Sequence, residues 1–417
     1  MLLRLWHAFG LTRNRALPAA RLTAAAAFAM VLMALGACGK PLPDLPNDAY
    51  VWQRRWTPAV QEALAASADA VRTWRVLIAE MSAGGRWIDA RPDVNALAAS
   101  QKPAVMVLRL DGRVDALNVD ETLVRIAATT LAWRAAGVPL AGVEIDYDCA
   151  TSKLAAYRGF LTALKNRLEP GTPLSITALP TWLNSPDLDA LLKVPDESVL
   201  QVHAVLNPTQ GLFDAKRAQA WISAFAGRTQ RPWRIALPTY GSRVSWDDDG
   251  NIIAIESERP TLTTATRASE LVAAPAAMAA FAEQIRQDRP AGLAGMVWFR
   301  LPTALDERAW SLATWRAVLT RQSLQAELNV FAQRATTAGT FDLVLSNTGN
   351  ADATLPFTIR WDGVCRAADG INGYTLEQDN AGWYLRRAHD GLLRAGSLRN
   401  IGWIRCDTPP TTFHAKP

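Results

Sequence analysis

Histidine and cysteine are both scarce, four of each in 417 residues. His7 lies in an apolar leader, His414 in the last few residues and His389 far down the chain, so His203 stands nearly alone. A multi-histidine metal centre or a Ser-His-Asp triad is therefore not expected, and neither is any metal or other cofactor. A large excess of one charge is missing too. The formal net charge is +5, but Arg4, Arg13, Arg15 and Arg21 precede residue 38 with no acid among them, which leaves the remainder at +1. Nucleic acid is not an expected partner of so balanced a chain. No Gly-x-Gly-x-x-Gly follows an early strand-like run, which argues against a dinucleotide-binding open sheet. The apolar run Ala24 to Leu35 is too short to span a membrane stably.

That short run is informative in another way. Following a positive stretch, it ends in Leu35-Gly36-Ala37-Cys38, which resembles the bacterial lipobox. The resemblance implies that residues 1–37 are a lipoprotein signal peptide and that Cys38 is the lipidated first residue of the mature chain. The alternative is a plain signal peptide or anchor with an incidental cysteine. Gly39 stands where an aspartate would favour inner-membrane retention, so the implied location is the outer membrane, facing the periplasm. Residues 38–47, with three prolines, read as a tether. In an oxidising compartment Cys365 and Cys406 are expected to pair across a strand-like segment, leaving Cys149 as the odd thiol; two buried thiols are the alternative.

From residue 48 to 320, β-rich apolar runs alternate eight times with segments of helical period. The strand candidates are Ala49 to Gln53, Arg75 to Met81, Ala104 to Leu110, Gly142 to Asp148, Leu174 to Leu179, Val199 to Leu206, Trp233 to Tyr240 and Gly295 to Arg300. Between them Leu154, Tyr157, Leu161, Leu164 and Leu168 recur at the spacing of an amphipathic helix. The expected fold is α/β, a (β/α)8 TIM barrel, with a doubly wound open sheet as the alternative. After residue 322 alternating β-branched runs and turn signals predict a small β-sandwich over 323–408, followed by a flexible tail over 409–417.

The chemistry of such a barrel sits where strands end. In Gly142-Val143-Glu144-Ile145-Asp146-Tyr147-Asp148, three carboxylates fall at alternate positions, and the two-residue period of a strand turns all three into the barrel. Buried acids are costly unless paired or protonated, so Glu144, Asp146 and Asp148 are the catalytic candidates; a network bracing the barrel is the other explanation. Glu80 ends the second strand, Arg109 and Asp111 the third and Tyr240 the seventh, and Arg300 lies two residues past Trp298. Trp52, Trp182 and Trp298 sit at or just beyond strand ends, where an indole face can stack on a sugar. His203 reads more readily as an interior hydrogen-bonded residue than as a catalyst. The long segment Gly241 to Ala274 contains a hairpin turn at Trp246 to Asn251. Its partial calcium-loop spacing lacks the first aspartate and a flanking helix pair.

The fourth-strand run resembles the Asp-Gly-x-Asp-x-Asp-x-Glu signature of glycoside hydrolase family 18, and Gly295-Met296-Val297-Trp298-Phe299 resembles that family's eighth strand. The chain is also similar to a family of bacterial lipoproteins, domain of unknown function 3142, in Tyr50-Val51-Trp52-Gln53-Arg54 and Ile145-Asp146-Tyr147-Asp148-Cys149. The glycosidase resemblance implies that Asp148 is the proton donor, Asp146 its partner, Glu144 a buried support and Trp298 the floor of a sugar site. Tyr240, Asn207, His203, Trp52, Glu80 and Arg300 would contribute to ligand binding. Ala141 replaces the first acid of the signature, Asp148 is one methylene shorter than the family's Glu, and Asn207 replaces a Tyr that holds the substrate's acetamido group. The expected function is an envelope-anchored, glycoside hydrolase-like protein acting on a polysaccharide. The alternative is a non-catalytic glycan-binding or scaffold lipoprotein. The expected partners are a carbohydrate and, through the lipid, a membrane.

Overall fold

The computed structural model describes residues 44–203, 212–249, 252–256, 267–306, 308–388 and 391–416. Cys38, with the leader and most of the tether, lies outside the described residues, and so does Asn207. The barrel strands are β1 (Asn47–Val51), β2 (Thr73–Met81), β3 (Ala104–Leu110), β4 (Leu140–Tyr147), β5 (Leu174–Ala178), β6 (Glu197–Gln201), β7 (Trp233–Pro238) and β8 (Leu293–Phe299). Each pairs in parallel with the next, and β8 returns to β1, so the sheet has no open edge between them. A helix follows each strand. The expected (β/α)8 barrel is the fold of this segment, and the open-sheet alternative falls with the β8–β1 pairing.

Local chemistry sets the helix ends. Asp93, Asn118, Asp214 and Ser311 each accept a backbone N–H of the first turn that follows, and Pro275 opens the helix Pro275–Gln287, where its missing N–H costs nothing. After β4 a short 3-10 turn, Thr151–Lys153, leads into the helix Leu154–Lys165. Every second strand residue faces the helices. Ile145, Tyr147, Ile176, Leu200, Leu237, Met296 and Trp298 belong to that outer core, in which each buried side chain contributes roughly 1.5–3 kcal/mol.

The alternate residues face inward and form a much smaller apolar belt of Tyr50, Trp52, Leu77, Val107, Val199, Ala236 and Val297, with Phe299 against it. Above and below that belt the interior is polar. Two glycines make the polar layers fit. Gly142 has φ +149°, and a Cβ there would meet the Pro173 carbonyl at 2.7 Å. At Gly295 a Cβ would collide with the guanidinium of Arg234.

Beyond β7 the strands Gly241–Trp246, Ile252–Glu256 and Arg267–Val272 form an antiparallel sheet with the first in the centre, which includes the expected hairpin. The C-terminal region is a sandwich-like pair of four-stranded antiparallel sheets. One runs in the order 328–334, 340–347, 398–406, 365–370, and the other in the order 374–379, 382–387, 358–361, 413–416. Leu343, Leu345, Ile401 and Ile404 of the first sheet meet Ile359, Tyr374 and Leu385 of the second in one core. Cys365 and Cys406 lie opposite one another on neighbouring strands and are joined as a disulfide, and Cys149 is free and buried. The segment 409–417, expected as a flexible tail, contributes the strand Phe413–Lys416. Its residues pair with Thr358–Trp361, and Phe413 packs on the sandwich core.

Candidate active site

The inward side chains form two polar layers separated by the apolar belt. In the lower layer Arg75 is the hub. Its guanidinium contacts Asp48 (3.2 Å), Glu144 and Glu197, and Arg234 in turn holds Glu197 at 2.8 Å. Glu144 is wholly buried and also accepts from the Tyr50 hydroxyl (2.7 Å) and Ser175 Oγ (3.1 Å). Burial alone would raise Glu197, but the two arginines more than offset it and its carboxyl lies below its ordinary range. Asp48 goes the other way: burial outweighs both arginines, and its pKa is raised. Glu144 lies wholly inside this network. Its carboxylate is saturated by Arg75, Tyr50 and Ser175 and has no route to a ligand.

The upper layer is built differently. Asp146 points inward above the belt and is 4% exposed; it accepts from Thr177 Oγ1 at 2.6 Å, with the Gln201 amide at 3.5 Å. Asp148 follows directly on β4, and its side chain is 35% exposed. Arg109 reaches both acids, 4.0 Å from Asp146 Oδ2 and 3.6 Å from Asp148 Oδ2. Asp148 Oδ1 is buried and has no hydrogen-bond partner. Burial raises the pKa of both carboxyls. For Asp146 the charge of Asp148 adds to that rise, while Arg109 and the Thr177 hydroxyl oppose it; for Asp148 Arg109 and then the Gln201 amide oppose it. Two acids so placed titrate as a pair and keep a proton to higher pH than a free aspartate. Of the two, only Asp148 is open enough to pass that proton outward.

The loops hold Asp148 by its backbone. A Cβ on Gly112 would strike the Asp148 carbonyl, so the β3 loop can lie against it only as glycine. Lys153 Nζ donates to the Gly112 carbonyl at 2.9 Å, and the Tyr147 hydroxyl donates to the Val114 carbonyl. Trp182, expected near a strand end, is wholly buried and donates its indole N–H to the Cys149 carbonyl at 2.9 Å. It braces this loop and offers no sugar face.

Aromatic rings surround the pair. Trp52 and Phe299 meet edge to face at 5.0 Å, Tyr240 meets Phe299 at 5.6 Å, and His203 lies 5.9 Å from Tyr240. Arg109 sits 5.9 Å from the Trp52 ring. Burial pushes His203 down to about 4 and the Tyr240 phenol up to about 12, so both are neutral at ordinary pH. His203 Nδ1, like Asp148 Oδ1, is buried without a hydrogen-bond partner. Glu80 closes the ring through Arg54, 2.6 Å away.

Two expectations need correction. Trp298 is not the floor of the interior. Gly295, Val297 and Phe299 take the inward positions of β8, so Trp298 faces the helices, fully buried, with its indole N–H on Asn47 Oδ1 at 3.0 Å and its ring against Trp310. Phe299 holds the place assigned to it. Arg300 is also not open to a ligand; it is buried in the loop after β8 and paired with Asp306 at 2.6 Å. Thr177, Gln201 and Phe299 had gone unnoticed in the sequence. The signal for all three was there, since each lies at an inward position near the top of its strand. Glu80 owes its place to a bulge between Leu77 and Ala79, which sets it beside Arg109 although strict alternation from Arg75 would turn it outward. Among the described residues no group of three or more His, Cys, Asp or Glu side chains is arranged to hold a metal ion.

Residues 100–304 match the family model described as Domain of unknown function (DUF3142), and residues 330–407 the one described as Domain of unknown function (DUF8456). A search of curated proteins gives no match. Among solved structures, the spore cortex-lytic enzyme SleL of Bacillus megaterium is similar at 12% identity over 68% of this chain and 76% of that one, with a TM-score of 0.49. A chitinase from Chromobacterium violaceum is similar at 13% identity over 66% and 98%, with a TM-score of 0.46. A xylanase and alpha-amylase inhibitor protein from Scadoxus multiflorus is similar at 11% over 68% and 100%, with a TM-score of 0.44. The stretch that matches the DUF3142 model takes in β3 to β8 and the pair Asp146 and Asp148, and the stretch that matches the DUF8456 model lies in the sandwich.

Proposed function

We infer that this is an envelope-anchored, glycoside hydrolase-like protein that acts on a polysaccharide by carboxylate acid catalysis. The observation that carries the reading is the pair of raised carboxyls, Asp146 closed in and Asp148 open, at the end of the barrel where strands deliver chemistry. In this reading Asp148 gives its proton to the leaving oxygen of a glycosidic bond. Asp146 stays behind as a fixed acid beside the developing positive charge of the sugar, and Arg109, within reach of both, balances the negative charge left on the pair. Trp52, Phe299 and Tyr240 supply the apolar wall against which a sugar ring packs, and His203 and Asp148 each bring an unpartnered polar atom to it. The resemblance to family 18 further implies that the substrate's own acetamido group attacks the anomeric carbon. The Tyr that would hold it is replaced by Asn207.

The test is turnover and binding of N-acetylated and plain oligosaccharides by the wild type and by Asp148→Asn. The expected loss of turnover is at least about 100-fold, with binding kept. Turnover unchanged in Asp148→Asn would show the acid to be wrong. Binding by the wild type with no cleavage of any substrate would favour the alternative, a glycan-binding scaffold. The ion pair between Arg109 and Asp148 speaks for that second reading, since a carboxyl held by an arginine gives up its readiness to stay protonated.

Anchoring rests on the lipobox-like Leu35-Gly36-Ala37-Cys38 and its implication of an outer-membrane lipoprotein facing the periplasm. Labelled palmitate is expected to enter the wild type and not Cys38→Ser; label retained in that variant would contradict a lipid on Cys38.

A further inference from the structure

The loop that leaves β8 has two described limbs, residues 300–306 and 308–311, and they are fixed from opposite sides. On the barrel side the Gly241 N–H donates to the Arg308 carbonyl (2.6 Å), the Trp310 N–H donates to the Thr239 carbonyl (2.9 Å), and Ala309 pairs with Tyr240 as an antiparallel bridge. Tyr240 is thus held in the aromatic ring by the returning limb of this loop. Asp306 organises the outgoing limb, accepting from Arg300, the Thr303 N–H (2.8 Å) and Thr303 Oγ1 (2.9 Å).

The other side is the sandwich. Arg394, beside the short ribbon 353–354 and 392–393, donates from Nη1 to the carbonyls of Thr303 (3.4 Å) and Ala304 (3.5 Å) and from Nη2 to that of Ala309 (3.1 Å). One guanidinium therefore spans both limbs. Just beyond, Asp352 accepts from the Ser311 N–H (2.8 Å) and from Ala395 N–H (2.9 Å), and its own N–H donates to Thr314 Oγ1 (2.9 Å), which locks the end of the loop to the sandwich. A planar fork with several fixed donors suits this task; a lysine could satisfy only part of it. Mouth loops of barrels move unless something ties them.

We propose that the C-terminal sandwich is a clamp on the barrel mouth, and that Arg394 is its positioning residue, fixing the 308–310 limb and, through that limb, Tyr240. This role does not depend on what the site binds. Hydrogen exchange by mass spectrometry tests it on the full chain without any ligand. In Arg394→Ala the amides of Gly241 and Trp310 are expected to exchange roughly tenfold faster, as the loss of about one net hydrogen bond in local stability implies, with Arg394→Lys between it and the wild type. Amides of β2 to β4 should not change. Arg360→Ala, which breaks an ion pair with Asp379 inside the sandwich, should leave Gly241 and Trp310 as they are. Unchanged exchange at those two amides in Arg394→Ala overturns the proposal, and so does equal acceleration by Arg360→Ala. If Arg394→Ala does not fold, wild-type exchange in Arg394→Lys overturns it instead.

Discussion

The lower and upper halves of the barrel interior use the same residue types for opposite ends. Below the apolar belt, Arg75 and Arg234 face Asp48, Glu144 and Glu197, and Glu144 meets three polar groups, those of Arg75, Tyr50 and Ser175. Above it, Arg109 stands at 3.6 to 4.0 Å from two acids, one of which leaves a buried oxygen unpartnered. Saturation, as at Glu144, makes a carboxylate inert, whereas Asp48, also raised and with its Oδ1 unpartnered, is sealed 1% exposed below the belt. Loose pairing together with burial leaves a carboxyl that holds its proton, which is the state acid catalysis needs. The difference teaches that three acids in one strand need not share one job: Glu144 braces the barrel while Asp146 and Asp148 keep chemistry available.

The strongest way to break the comparison is to remove the lower hub. Arg75→Met leaves the wholly buried Glu144 without an arginine and takes from Asp48 and Glu197 one of their two, and a loss of about 3–5 kcal/mol in urea unfolding is expected. A loss below about 1 kcal/mol would mean that the lower layer is not the brace.

A second experiment acts on the upper layer and should change stability with pH in the opposite sense to an ordinary salt-bridged acid. The folded-state pKa of Asp146 is raised, so the folded protein keeps a proton that the unfolded chain releases above about pH 4. Its contribution to stability is complete below that pH and is lost as pH rises toward the raised value. Asp146→Asn, whose side-chain oxygen can still accept from Thr177, removes this dependence. Between pH 4 and the raised value of about 8 the variant is expected to gain on the wild type with a slope of up to about 1.4 kcal/mol per pH unit, measured by denaturant midpoints across pH. A parallel pH dependence of the two proteins would contradict the raised carboxyl.

The smallest effect sharpens the contrast between buried and exposed pairs. Arg54 holds Glu80 closely, but its own side chain is 56% exposed. Arg54→Ala should therefore cost less than about 1 kcal/mol, in spite of a shorter contact than Arg109 makes with either acid.

Much of this arrangement is legible in the amino-acid sequence. Eight strand-like runs separated by helical ones gave the barrel, because a parallel sheet buried on both faces leaves continuous apolar runs. The period of two places Glu144, Asp146 and Asp148 on one face, since the register shift in β4 lies before Gly142 and nothing interrupts the strand after it. The same reasoning misplaced Trp298, because a resemblance aligned by residue type had shifted the inward register by one position; Gly295, which makes room for Arg234, was the clue to the true parity. Glu80 could not be placed by period, as a bulge changes parity without a fixed sequence mark. Arg75 was legible only as a strand residue, because its role depends on partners from β1, β4 and β6. The tail strand Phe413–Lys416 was too short and polar to announce a partner across the sandwich.

The pair itself is open to direct observation. In protein labelled with 13C at aspartate side-chain carboxyls, the resonances of Asp146 and Asp148, assigned through the two single Asn variants, should show one proton still shared between them at pH 7. In Asp148→Asn the remaining Asp146 should titrate at lower pH than in the wild type, because the neighbouring charge that raises it is gone. Two fully ionised carboxylates at pH 5 in the wild type would contradict the central claim, and the upper layer would then be a second brace.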